Sequence, residues 1–177
     1  KIDIRSTFSK NLGTKITDEI NVISKKAITG ISYTKDIAKI TVIGVKDKPG
    51  VASEMFKSLK EINLDMIVQS SSADGGETDI TFTIKKEDIK KSINLLKKNK
   101  KISYEKIFQN DKVSKVSVVG AGMITQPGVA QKFFNALAKK RINIMVISTS
   151  EIKISVLIDQ QHTNKAVKLL HKEFDLE

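Results

Sequence analysis

The chain has 177 residues, 40% of them apolar, enough to bury a core as one domain or two small ones; no stretch nears the ~18 uninterrupted apolar residues of a membrane span. Zero cysteines exclude disulfides and thiolate metal sites, and two histidines, His162 and His171, both in the last segment, leave no His-based metal centre or Ser/His/Asp triad. The net charge of +11 does not point to nucleic acid, because only Arg5 and Arg141 among 31 basic residues are arginines, lysines are scattered through every predicted helix, and stacking residues are few.

Lys1 to Phe8 alternates, with Ile2 and Ile4 on one side, and predicts a short strand without the character of a secretory signal. Ser9 to Asp18, with Asn11, Gly13 and two threonines, reads as a turn-rich connector, and the opening as the end of something longer. Ala27 to Tyr33 predicts a strand, after which Tyr33 to Lys39 turns into a second strand at Ile40 to Ile43. Gly44-Val45-Lys46-Asp47-Lys48-Pro49-Gly50 then leads to a helix with apolar residues at Val51, Met55, Leu59 and Ile62. Strands at Asp65 to Ser72 and Thr78 to Ile84 flank a hairpin turn, Ala73 to Glu77. A helix over Glu87 to Lys98, capped by Asp88, turns Ile89, Ile93 and Leu96 inward. Ile102 to Phe108 gives a fourth strand bounded by Asn110-Asp111.

The same order then starts again. Lys39-Ile40-Thr41-Val42-Ile43-Gly44 returns as Lys115-Val116-Ser117-Val118-Val119-Gly120, and Pro49-Gly50-Val51-Ala52 as Pro127-Gly128-Val129-Ala130. The repeat continues from Ile62-Asn63-Leu64-Asp65 against Ile142-Asn143-Ile144-Met145 to Leu95-Leu96 against Leu169-Leu170. Each copy is about 60 residues, a size marginal alone, so two copies gain by burying a face against each other. The second copy runs out of chain before a fourth strand, and Ala27 to Tyr33 is free to fill the vacancy.

Each strand–helix junction carries a possible chemistry. A helix N-terminus presents unpaired N–H groups and the positive end of a dipole, which suits a small carboxylate. Asp47, three residues before Gly50, can take an ammonium, so the first junction can hold both ends of a free amino acid. Junctions of this kind are also common where nothing binds.

A strand-helix-strand-strand-helix-strand unit with Pro-Gly at its first turn resembles the ACT domain, a small-ligand regulatory module. Two in tandem, with Asp65-Met66-Ile67-Val68-Gln69, Thr78-Asp79-Ile80-Thr81-Phe82-Thr83, Val119-Gly120-Ala121-Gly122-Met123 and Ile147-Ser148-Thr149-Ser150-Glu151-Ile152, resemble the regulatory region of aspartokinase (aspartate kinase). The resemblance implies an α+β chain of two ferredoxin-like βαββαβ units, the first inserted into the second. Residues 1–26 would be the end of a kinase domain and a connector, 39–110 the first ACT domain, and 27–38 plus 111–177 the second. It also implies feedback inhibition, by threonine or lysine, of the phosphorylation of L-aspartate by ATP. The resemblance implies no catalytic residue in this chain; ATP and Mg would belong to the kinase domain, and no cofactor or metal is expected here. Expected partners are the effector, an aspartokinase catalytic domain or subunit, and a second copy in a homodimer, with neither nucleic acid nor membrane, in the cytoplasm.

Carried over from the family, one effector site would use Asp47, Gly50, Val51, Ala52 and Gln69, closed by Asn143 and Ile144 of the second copy. Gln69, both donor and acceptor, would favour a side-chain hydroxyl. Pseudo-symmetry gives a weaker second site from Gln126, Gly128, Val129 and Ala130, faced by Asn63 and Asp65, with Ser150 and Glu151 nearby. There Thr125 stands where Asp47 would, and the span Gly50 to Asn63 is shorter than Gly128 to Asn143. The rival function is a stand-alone ACT-type amino-acid-sensing module with no kinase attached.

Overall fold

The structure is a computed structural model that describes residues 2–4, 14–16, 26–71 and 75–176. At the start, β1 (Ile2–Ile4) pairs antiparallel with β2 (Thr14–Ile16), Ile2 opposite Ile16. The connector therefore is not all turn: Thr14-Lys15-Ile16 has the β-branched alternation of a strand, and a partner strand was enough to extend it.

The remaining strands are β3 (Gly30–Lys46), β4 (Ile67–Ser71), β5 (Glu77–Lys85), β6 (Lys106–Val119), β7 (Val146–Ser150) and β8 (Lys153–Asp159). They form one antiparallel sheet in the order β4-β5-β3-β6-β8-β7. Four helices lie between them: α1 (Val51–Ser58), α2 (Ile89–Lys98), α3 (Val129–Lys139) and α4 (Thr163–Glu173). The class is α+β, as the sequence predicts.

The two long strands serve both copies. The late half of β3 pairs with β5, Ile40 opposite Phe82, while its early half, Gly30 to Thr34, pairs with Lys115 to Val119 of β6. That early half lies beside the second copy's first strand, which has β8 on its other side. The turn expected at Tyr33 to Lys39 does not exist, nor does a boundary at Asn110-Asp111. No Gly or Pro interrupts Ile31 to Ile43, so the strand continues and absorbs the mismatch as register shifts between Thr34, Ile37 and Lys39. Across from the slip, the Asn110 side-chain Oδ1 accepts the Lys112 N–H at 2.9 Å, satisfying an amide that the ladder drops.

Each copy has its own core. Ala38, Ile40 and Val42 of β3 pack with Met55 of α1 and Leu96 of α2; Val116 and Val118 of β6 pack with Phe133 of α3 and Leu170 of α4. A third, smaller cluster lies on the opposite face of the strands. It joins Ile37, Val113 and Leu157 to Met66 before β4 and Val146 of β7, so it belongs to both copies. The outermost strands β4 and β7 contact each other, which curls the sheet and turns this face inward.

Asp88 does not cap α2. Lys86–Asp88 forms a 3-10 turn and the Asp88 side chain makes no capping bond, whereas Asp159, before the equivalent turn of the second copy, accepts the Gln161 N–H at 2.9 Å. Of the residues expected to turn inward on α2, Leu96 is buried, and Ile89 and Ile93 are half-buried against the same core.

Candidate effector-binding site

Both junctions form the same local structure. Gly50 and Gly128 take left-handed φ values of +90° and +87° immediately before α1 and α3. A Cβ at either glycine would meet nothing within 4 Å, so the requirement is conformational, not steric crowding by neighbours. Neither helix has a side-chain cap, and each glycine carbonyl accepts the first helical N–H available to it, from Glu54 and Lys132, both at 2.9 Å. At α1 the Val51 N–H already donates to the Lys48 carbonyl at 3.1 Å, so the N–H groups left for an anion are the later ones of the first turn, which have no partner within the helix.

At the first junction, the Asp47 N–H donates to the Gly76 carbonyl at 2.9 Å, which ties the end of β3 to the hairpin glycines. The Asp47 carboxylate accepts from the Ser71 hydroxyl at 3.3 Å. Val51 is buried in the core, Ala52 half-buried, and Gln69 exposed on edge strand β4, two residues before Ser71. Asp47, Gly50 and Ala52 are thus gathered at one end of the first copy. Part of the turn expected at Ala73 to Glu77, residues 73 and 74, lies outside the described residues.

At the second junction a cleft of about 530 Å³ is walled by Gln126, Gly128, Val129 and Ala130 on one side and Ser150 and Glu151 on the other. Met123 and Thr149, which the sequence reading did not single out, also line it. The Thr125 hydroxyl donates to the Gly122 carbonyl at 3.4 Å and supplies no charge. Asn63 and Asp65 do not line this cleft. Asn63 is exposed, and the Asp65 carboxylate forms an ion pair with Lys115 on the inner face of the sheet. The shorter span from Gly50 to Asn63 is visible as α1 having eight residues and α3 eleven.

A third cleft, about 500 Å³, opens between the copies on the inner face. Ile144 lines it, with Val68 and Ser70 of β4, while Asn143 beside it is exposed; the lining does not include Asp47, Gly50, Val51, Ala52 or Gln69. Lys39, Thr41, Asp79 and Thr81 form its polar side. The alternation of polar residues on strands that are apolar on their other face was the available signal for these four.

Among the described residues no cluster of His, Cys, Asp or Glu could hold a metal ion, and no helix is long and apolar enough to cross a membrane.

The ACT domain family model matches residues 40–99 and 116–174. An aspartokinase from Corynebacterium efficiens is 42% identical over 98% of this chain, and the chain spans 42% of that relative, about two fifths of its length. A chain in the crystal structure of aspartokinase alpha and beta subunits is 44% identical, with a TM-score of 0.77, over 84% of this chain and 99% of that one. The ligand-free regulatory subunit of aspartate kinase from Thermus thermophilus is 35% identical, with a TM-score of 0.78 over the same shares. Matched in both of its copies, and covering a regulatory subunit almost end to end, the chain belongs to the ACT domain family, among the tandem regulatory regions of aspartokinases.

Proposed function

We propose that this chain senses an end-product amino acid and, through it, feedback-inhibits the phosphorylation of L-aspartate by an aspartokinase catalytic domain or subunit. The carrying observation is the repeated junction: a left-handed glycine opens a helix whose first-turn amides no side chain caps, with the Asp47 carboxylate beside the first. The amides take the effector's carboxylate and Asp47 its ammonium. Threonine and lysine are the proposed effectors, with the Gln69 amide serving a side-chain hydroxyl. Asn143 and Ile144 join the first site from the second copy, and Glu151 suits the ammonium of a lysine side chain at the second. ATP and Mg belong to the catalytic domain, and this region needs no cofactor.

An effector can shift a conformational equilibrium only by its differential affinity for the two states. The copies share the long strands β3 and β6, so a ligand that favours one packing of the copies has a rigid route to whatever is joined to them. A homodimer through the ACT units completes the proposal. Likeness to aspartokinases along nearly the whole chain favours this reading over a stand-alone sensing module.

Isothermal calorimetry with threonine and with lysine tests it. Binding of at least one is expected, with Asp47→Ala weakening it about tenfold, the effect of losing one charge-assisted bond. Absence of heat with both amino acids overturns the effector assignment, and unchanged affinity in Asp47→Ala removes Asp47 from the site.

A further inference from the structure

The repeat is broken at one point on the inner face. In the second copy Lys115, its side chain 15% exposed, pairs with the Asp65 carboxylate arriving from the first copy. Lys39 is the counterpart of Lys115, and Met145 the counterpart of Asp65. Lys39 therefore meets a thioether where its twin meets a carboxylate, and it has no ion-pair partner among the described residues. The hydroxyls beside the two lysines differ in the same direction. Ser117 and Ser155 hydrogen-bond at 2.8 Å and are buried; Thr41 and Thr81 hydrogen-bond at 2.9 Å but stay half-open to solvent. One side of the inner face is sealed, and the other is the cleft of about 500 Å³, within the ordinary range for small-ligand pockets.

The cleft also holds an acid. Asp79 accepts the Gly44 N–H on Oδ1 at 3.0 Å, and its other oxygen has no partner among the described residues. Lys39 lies opposite Thr83 in the ladder, four residues along β5 from Asp79, which separates the two backbones by about 13 Å at ~3.3 Å per residue. Both line the cleft, and a lysine and an aspartate set that far apart on its wall leave room between them for a ligand with a carboxylate and an ammonium. Val68 and Met145 wall the gap with apolar surface.

We propose that this cleft is a further effector site, built within a single chain and separate from both strand–helix junctions, for a small free α-amino acid. The ligand's carboxylate takes on Lys39 the place that Asp65 takes on Lys115; its ammonium meets Asp79, and its side chain lies on Val68 and Met145. Occupied, the cleft clamps the first copy to the segment before β7 as the Asp65–Lys115 pair clamps the second. The inference does not depend on the junction reading.

The four methionines separate the sites: Met145 lines this cleft, Met123 the second-junction cleft, Met55 is in α1, and Met66 is in the inner core. Methyl-13C methionine spectra of the full chain, titrated with each common free L-amino acid in turn, should show at least one that moves Met145 saturably. Lys39→Gln should weaken that binding about tenfold or more while leaving titrations seen at Met55 and Met123 unchanged. Met145→Asp gives Lys39 the partner that Lys115 already has, and should abolish the binding by calorimetry with the other three methyl signals in place. No saturable response at Met145 to any amino acid, or unaltered affinity in Lys39→Gln, overturns the site. Silence at Met55 and Met123 is instead a failure of the junction reading.

Discussion

Ser92 sits wholly buried in α2, and its hydroxyl has no hydrogen-bond partner among the described residues; the second copy has buried Ala166 at the equivalent place. A desolvated, unpaired hydroxyl costs free energy that a methyl group does not. Ser92→Ala should therefore stabilise the chain by about 1 kcal/mol, read as a higher urea midpoint at unchanged slope. Gly120 poses the opposite constraint. A Cβ there would lie 2.1 Å from the Ala27 carbonyl oxygen, and one at Gly122 would lie 2.7 Å from that of Lys26. The Gly120-Ala121-Gly122 word thus exists so that the chain entering β3 can pass directly over it. Gly120→Ala should destabilise by about 2 kcal/mol, because backbone and not a flexible side-chain end must move.

At the scale of elements, the molecule rests on β3 and β6, the central pair of the sheet, each used by both copies. Hydrogen exchange should reflect that position. Amides of β3 from Ile40 to Val42, bonded on both sides, should open only with global unfolding, while those of β4, an edge strand with mostly exposed residues, should exchange much faster. Equal rates in the two strands would contradict the sheet order. The helices follow the same logic of position. Exposed Lys91 of α2 hydrogen-bonds Glu61, just beyond α1, at 3.0 Å and holds its carboxyl below the usual range, a surface tie that adds little to the packing of Met55 and Leu96 beneath.

For the whole molecule, what holds one copy to the other is the continuous strands, the small inner core of Ile37, Met66, Val113, Val146 and Leu157, and the Asp65–Lys115 pair. Asp65 is 42% exposed, so screening limits the pair to about 1 kcal/mol or less. A double-mutant cycle with Asp65→Ala and Lys115→Met, followed by chemical denaturation, should return a coupling of that size. Larger coupling would mean that water is excluded from the pair more fully than its exposure implies.

By itself the sequence determined the duplication, the helix or strand class of the repeated elements and both strand–helix junctions, because these depend on local signals: alternation, helical spacing, and glycines at positions that need positive φ. The family words lie in both copies, and the first junction, Asp47 through Ala52, was legible as a strand–helix turn from Pro49-Gly50 alone. The merging of four predicted strands into two long ones was not, since a turn at Tyr33 to Lys39 and a bulge there are equally compatible with the local residues; pairing across the sheet decided between them. Nor could spacing place Asp65, which pseudo-symmetry assigns to the second junction. A carboxylate within reach of a shielded lysine goes to the lysine, and only the curled sheet brings Lys115 within its reach. The inner cleft belongs to the same level: pairing of β3 with β5 puts Lys39 and Asp79 on one wall, and the contact of β4 with β7 brings Met145 to it.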